Sequence, residues 1–99
     1  MIHIAILQHT PDQCPGHNKG LFDDLQTKLP RLPEFAGKYN VEVRGMYAMV
    51  PSHKTIAVVE APDADAVSRF LIEAGITAWN HCEVAPAYSP QEALAMAQL

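Results

Sequence analysis

Hydrophobic and polar positions follow two different periods along the chain, and these periods separate strands from helices. Residues 2–8, IHIAILQ, are apolar and β-branched at alternate positions, which predicts a buried first strand. Residues 41–50 and 55–61 have the same character and flank the turn sequence PSHK, which predicts a hairpin of strands two and three. Residues 81–88 predict a fourth strand, in which Pro86 favours an edge position or a bulge.

The first helical segment lies between strands one and two. From 20 to 39 the apolar residues recur every three or four positions, as they do in a helix with one buried face. Pro30 and Pro33 interrupt this segment, because proline lacks the backbone donor and clashes with the preceding turn. We therefore expect a helix that ends near Leu29, followed by a bent or second short segment.

Two further helices carry recognisable capping residues. Within 61–75 the apolar spacing is again helical, Asp63 can cap the beginning, and Gly75 is suited to the end. Residues 89–98 begin with Ser-Pro-Gln-Glu, the signature of a capping box with proline at the first helical position. This pattern predicts a short terminal helix.

The order β-α-β-β-α-β plus a helix, taken over residues 1–99, resembles that of the dimeric α/β-barrel superfamily. The resemblance implies one α+β domain with a ferredoxin-like fold, whose antiparallel strands lie in the order four, one, three, two. It also implies two protomers that face each other sheet to sheet. The strand sequences agree with this arrangement, because both odd-numbered and even-numbered positions along them are apolar. Both faces of the sheet therefore need to be covered by a packed layer of protein. We expect a homodimer.

Composition and charge narrow the classes of partner. The chain is 48% hydrophobic and 18% charged, which is ordinary for an ordered globular domain. Its seven Lys and Arg residues are scattered and the formal net charge is -4, so no basic surface is available for nucleic acid. The apolar runs have the length of strands, and the first residues lack a secretory leader, so we expect neither a membrane segment nor export. The expected location is the cytoplasm.

The loop after strand one carries the residues with the clearest chemistry. Residues 8–17, QHTPDQCPGH, contain His9, Cys14 and His17, and the expected topology brings His53, at the start of strand three, to the same edge of the sheet. Imidazole and thiolate ligands suit zinc first, and copper or iron next. The four residues are thus a candidate transition-metal site, in which the prolines and glycine shape the loop.

Other polar residues near this edge of the sheet are secondary candidates for metal ligands. His81, Cys82 and Glu83 begin strand four, where Cys82 is as plausibly a small buried side chain as a ligand. A disulfide between the two cysteines is disfavoured in a reducing cytosol. His3 lies in the middle of strand one and is interpreted as a core residue or one that faces the barrel.

Three classes of function agree with these observations. The first is a small metal-binding protein, in which three ligands with an open position would make the metal catalytic and a closed set would make it structural. The second is a cofactor-independent isomerase or monooxygenase that acts on a small organic molecule in the apolar barrel lumen. The third is a structural or regulatory dimer. The sequence leaves open whether the protein is an enzyme.

Overall fold

The fold is an open antiparallel sheet with helices packed on one face, and it is compatible with a ferredoxin-like fold. A computed structural model describes residues 1–98, so the last residue of the expected domain 1–99 lies outside the described part. The elements in chain order are β1 (Ile2–Gln8), α1 (Lys19–Lys28), α2 (Leu32–Gly37), β2 (Glu42–Met49), β3 (Lys54–Glu60), α3 (Ala64–Glu73), β4 (His81–Pro86) and α4 (Pro90–Ala97). The α+β class is therefore confirmed.

The sheet contains four strands in the order β2-β3-β1-β4, and every neighbouring pair is antiparallel. β1 is central and pairs with β3 on one side and β4 on the other. Its pairing with β3 runs from Ile2 opposite Glu60 to Gln8 opposite Lys54. The end of β1 thus meets the beginnings of β3 and β4 at one edge of the sheet.

The helices begin and end at the residues that their local chemistry favours. In α1, α3 and α4 a side-chain oxygen at the N-cap accepts a hydrogen bond from the first turn. The three caps are Asn18 to the Leu21 N–H (3.1 Å), Asp63 to the Ala66 N–H (2.8 Å) and Ser89 to the Glu92 N–H (3.1 Å). After α1 the chain makes a 3-10 turn over Leu29–Arg31 before α2, as the prolines predict. Gly75 follows α3 with a φ of 77°, in the left-handed region.

The core lies between the helices and one face of the sheet. β1 contributes His3, Ala5 and Leu7 to this face, and the alternate residues of β1 point to the other face. Phe70 and Leu71 of α3 are almost completely buried against it. Ala57 and Val59 of β3 are also completely buried on this face of the sheet. We call this the helix side of the sheet.

Within residues 1–98, no helix covers the opposite face of the sheet. Ile2, Ile4 and Ile6 of β1 alternate with the core residues and remain partly exposed there, next to Ile56 and Val58 of β3. The terminal helix α4 contains no buried residue, and its Leu94 is 68% exposed. Apolar surface is therefore left uncovered on this face of the sheet and on α4.

Candidate metal centre

The strand register places two histidines opposite each other at the end of the sheet. His9 directly follows β1, and His53 directly precedes β3, so they continue the pairing of Leu7 with Thr55 by one further step on the helix side. The backbone N–H of His9 donates to the carbonyl of His53 at 3.1 Å, which extends the ladder. Directly opposed residues have Cβ atoms about 4.5–5.5 Å apart. Their rings accordingly meet edge to face, with centroids 5.3 Å apart.

His53 adopts an uncommon backbone conformation to reach this position. Its φ of 53° and ψ of 38° lie in the left-handed region, after a 3-10 turn over Val50–Ser52. Such a conformation costs an L-residue about 1–2 kcal/mol, although histidine is found there more often than most residues. The His53 N–H donates to the Val50 carbonyl at 3.2 Å, so hydrogen bonds on both backbone groups hold the residue in place.

The third member of the group, Cys14, comes from the loop that follows β1. A 3-10 turn over Pro11–Gln13 ends at Cys14, whose N–H donates to the Pro11 carbonyl at 3.2 Å. The Cys14 carbonyl in turn accepts from the N–H groups of His17 at 2.9 Å and Asn18 at 2.8 Å. The loop is therefore ordered by its own turns, and these turns direct the thiol toward the two imidazoles.

Together these side chains form a group that can hold a metal ion. His9, Cys14 and His53 each offer one ligand atom, and the three atoms lie within 4.8 Å of one another. Ligand atoms around a tetrahedral zinc ion lie about 3.4–3.8 Å apart, given bond lengths of about 2.0–2.3 Å. Small side-chain rotations would therefore bring the three atoms to coordination distance.

Two imidazole nitrogens in this group lack a hydrogen-bond partner. In residues 1–98, the buried side-chain nitrogen and oxygen atoms without a partner are His9 Nε2 and His53 Nδ1. Burying a polar atom without a partner costs about 1–3 kcal/mol, so such atoms call for an explanation. Each has a lone pair in one tautomer, which a metal ion can accept.

Asn80 determines which nitrogen of His9 carries the proton. The Asn80 Nδ2 group donates to the Ile76 carbonyl at 3.1 Å, which turns its oxygen toward His9. His9 Nδ1 lies 3.3 Å from this oxygen and must donate to it. Nε2 is then the unprotonated nitrogen, available as a ligand. Metal-binding histidines are commonly oriented in this way by an acceptor on the other ring nitrogen.

Asn80 and Trp79, which both contact His9, are not among the site residues predicted from the sequence. The Trp79 ring is tilted against the His9 ring, with centroids 5.3 Å apart. The alternation along β4 can be read from the sequence, but the contact follows from the observed register: Cys82 faces Leu7 on the helix side, so Asn80, two residues earlier, faces His9. His81, between them, must point to the opposite face.

The remaining candidates lie outside the group. His17 is exposed in the loop, and its role as a fourth ligand stays a prediction. The exposed His81 lies 3.9 Å from Glu83. Cys82 is partly buried and its thiol lies 3.7 Å from the Asn80 carbonyl; burial raises the pKa of this thiol. His3 is only 2% exposed and lies in the core, which is one of the two positions predicted for it.

Comparison with known proteins gives no indication of the family or the function. No protein-family model matches this chain, and no curated protein is significantly similar to it. None of the helices within residues 1–98 is long and apolar enough to cross a membrane. The function is therefore inferred from the residues of the metal group.

Proposed function

We propose that the protein binds a transition-metal ion through His9, Cys14 and His53. The observation that carries this proposal is the meeting of a thiol with two partly buried imidazoles, each of which has a buried nitrogen without a hydrogen-bond partner within residues 1–98. Coordination would satisfy both nitrogens at once. It would also offset the backbone cost at His53, because the left-handed conformation is what brings that ring beside His9.

Zinc is the metal that we expect first. Two imidazoles and one thiolate suit zinc, and the same set suits copper, whereas calcium and magnesium prefer oxygen ligands. Three protein ligands with one open position are the arrangement of catalytic zinc sites. The described part of the chain adds no further His, Cys, Asp or Glu to the group. We therefore propose a site with an open coordination position.

The experiment is a metal titration under reducing conditions. Purified wild-type protein is titrated with zinc, copper(I) and ferrous iron, beside the double variant His9→Ala, Cys14→Ala. We expect one ion per chain in the wild type. The variant should lose about ten-thousandfold in affinity, because each ligand of a zinc site contributes about 3 kcal/mol and the variant removes two of them. Equal affinity in both proteins, for all three metals, would contradict the proposal and favour the cofactor-independent alternative.

We also propose that the chain is a homodimer. The open face of the sheet carries Ile4 at its centre, between Val58 and Ala85. Helix α4 also leaves its apolar side chains exposed to solvent. Contiguous apolar surface of this kind is typical of an interface, and a second copy would supply the missing layer.

Sedimentation at micromolar concentration tests the dimer. Ile4→Lys places a charge in the centre of the open face and should shift the protein to a monomer. The matched control is Ile72→Lys on α3, where the side chain is already 62% exposed and the change should leave the dimer intact. A wild-type protein that sediments as a monomer would contradict the proposal.

A further inference from the structure

An apolar cavity adjoins the proposed metal group on the helix side of the sheet. It has a volume of about 360 Å³ and is bordered by all three residues of the group. Its other walls include the apolar side chains Phe22, Leu25, Met49, Val50 and Trp79. A cavity of about 150 Å³ can already hold benzene, so this space is sufficient for a ring with substituents.

The cavity continues beneath α1. A second pocket of about 210 Å³ extends toward Ile76 and Leu32, and it shares Leu25, Ala48 and Trp79 with the first. Helix α1 itself has no buried residue, although Leu25 faces this space. The small side chain of Ala48 on the sheet leaves the space open. Helix α1 therefore covers an apolar cleft instead of packing tightly on the sheet.

We propose that the open coordination position binds the anionic head group of a small apolar molecule whose body lies in this cleft. This inference rests on the proposed metal function. A divalent ion with two neutral imidazoles and one thiolate keeps a net positive charge, which favours an anion. Among the described residues, none of those that line either pocket is an Asp or Glu that would repel the anion. Ligand sites typically combine such apolar walls with a few polar groups that fix orientation.

The proposed site differs from the barrel lumen expected from the resemblance. The lumen would lie on the open face, beside Ile4 and Val58, whereas Leu7, Ala48 and Thr55 place the cleft on the helix side. Each chain would therefore contain its own complete site. A dimer is not needed to form it.

The test compares two hydroxamates that share a metal-binding head group. Zinc affinity is measured first, and the zinc-loaded full chain is then titrated with benzohydroxamate and with acetohydroxamate by calorimetry. We expect benzohydroxamate to bind at least about tenfold more tightly, since its ring buries apolar area that the methyl group lacks. It should also bind at least about tenfold more weakly to the metal-free protein.

The variant Ala48→Leu fills the floor of the cleft and should abolish the preference for the ring while zinc affinity is kept. Ala85→Leu makes the same change on the open face, outside the cleft, and serves as the control; its sedimentation is compared with that of the wild type, because this face is the proposed dimer interface. Alkyl hydroxamates of increasing length give a test without substitution, because wild-type affinity should rise with length until the cleft is filled.

The outcomes separate the two proposals. Failure of zinc itself to bind would overturn the proposed metal function, and the present inference with it. If zinc binds but the two hydroxamates, or the alkyl series, bind equally well, the apolar cleft is not a ligand site and only this inference is overturned. The same conclusion follows if benzohydroxamate binds equally with and without zinc.

Discussion

His3, near the beginning of β1, and His9, directly after its end, point to the same side of the sheet, yet their surroundings differ. His3 lies between Val59 of β3 and Pro86 of β4, neither of which offers a side-chain polar group. Its Nδ1 lies 3.3 Å from the Met1 carbonyl, and its side chain is part of the core. His9 occupies the corresponding place between His53 and Asn80.

The difference shows that a histidine on the helix side becomes a candidate ligand when the residues opposite it on the neighbouring strands are polar. Both imidazoles are on the helix side because of the alternation of side chains along a strand. Only at the His9 end does the register add a second imidazole, an orienting amide and, from the loop, the Cys14 thiol. Four measurements test or sharpen this contrast.

The largest effect should separate His53 from His3. His53→Asn removes a proposed ligand but keeps a residue that tolerates the left-handed conformation, and zinc affinity should fall at least about a hundredfold. His3→Leu should leave zinc affinity within about twofold, because the core ring contacts no member of the group. Competition with a zinc-binding dye measures both. A similar loss in the two variants would mean that the contrast between the ends of β1 is wrong.

Asn80 should have the next largest effect. In Asn80→Ala, His9 Nδ1 loses its acceptor, the tautomer is no longer fixed, and zinc affinity should fall about 10–100-fold, as for other orienting partners. Asn80→Asp keeps an oxygen that can accept from Nδ1 and should recover part of the affinity. If Asp rescues nothing while both variants unfold at the wild-type temperature, the hydrogen bond does not orient His9.

The two cysteines extend the contrast to thiol reactivity. Burial raises the pKa of Cys82, so this thiol holds less of the reactive thiolate at neutral pH than an ordinary cysteine and should be alkylated slowly. Mass spectrometry of peptides after brief iodoacetamide treatment measures both rates. Zinc should protect Cys14 and leave Cys82 unchanged; equal protection of both thiols would place Cys82 at the metal as well.

The smallest effect should come from a polar contact outside the metal group. Hydrogen bonds from Lys38 and Tyr39 lower the pKa of the Glu73 carboxyl. A lowered carboxyl pKa stabilises the fold above the ordinary glutamate pKa, near 4.3, and this stabilisation is lost as the pH falls through the folded-state value. Glu73→Gln should therefore lower the melting temperature slightly at pH 7 and hardly at all at pH 3.

Circular dichroism at the two pH values measures this difference. Because the side chain of Glu73 bonds to Lys38 and Tyr39 and not to a residue of the metal group, zinc affinity should be the same in the variant and the wild type. A decrease in melting temperature that is larger at pH 3 than at pH 7 would have the wrong sign for a carboxyl with a lowered pKa.

Local patterns determined the elements of this protein. The apolar alternation predicted the four strands, the two prolines predicted the break after Leu29, and the Ser89 capping box predicted the terminal helix. These features depend on neighbours within a few residues, and a sequence shows such neighbours directly. The selection of His9, Cys14 and His53 as residues that meet followed from the expected topology, which joins the ends of β1 and β3.

Only the tertiary structure decided which polar residues actually face one another. Shifting a strand by one residue turns each side chain to the opposite face; the observed register therefore brings Asn80 to His9 and leaves His81 exposed. The left-handed His53 and the cleft below α1 depend likewise on the packing of segments distant in the chain. Periodicity reports the environment of each segment, whereas register and packing depend on pairings that no single segment contains.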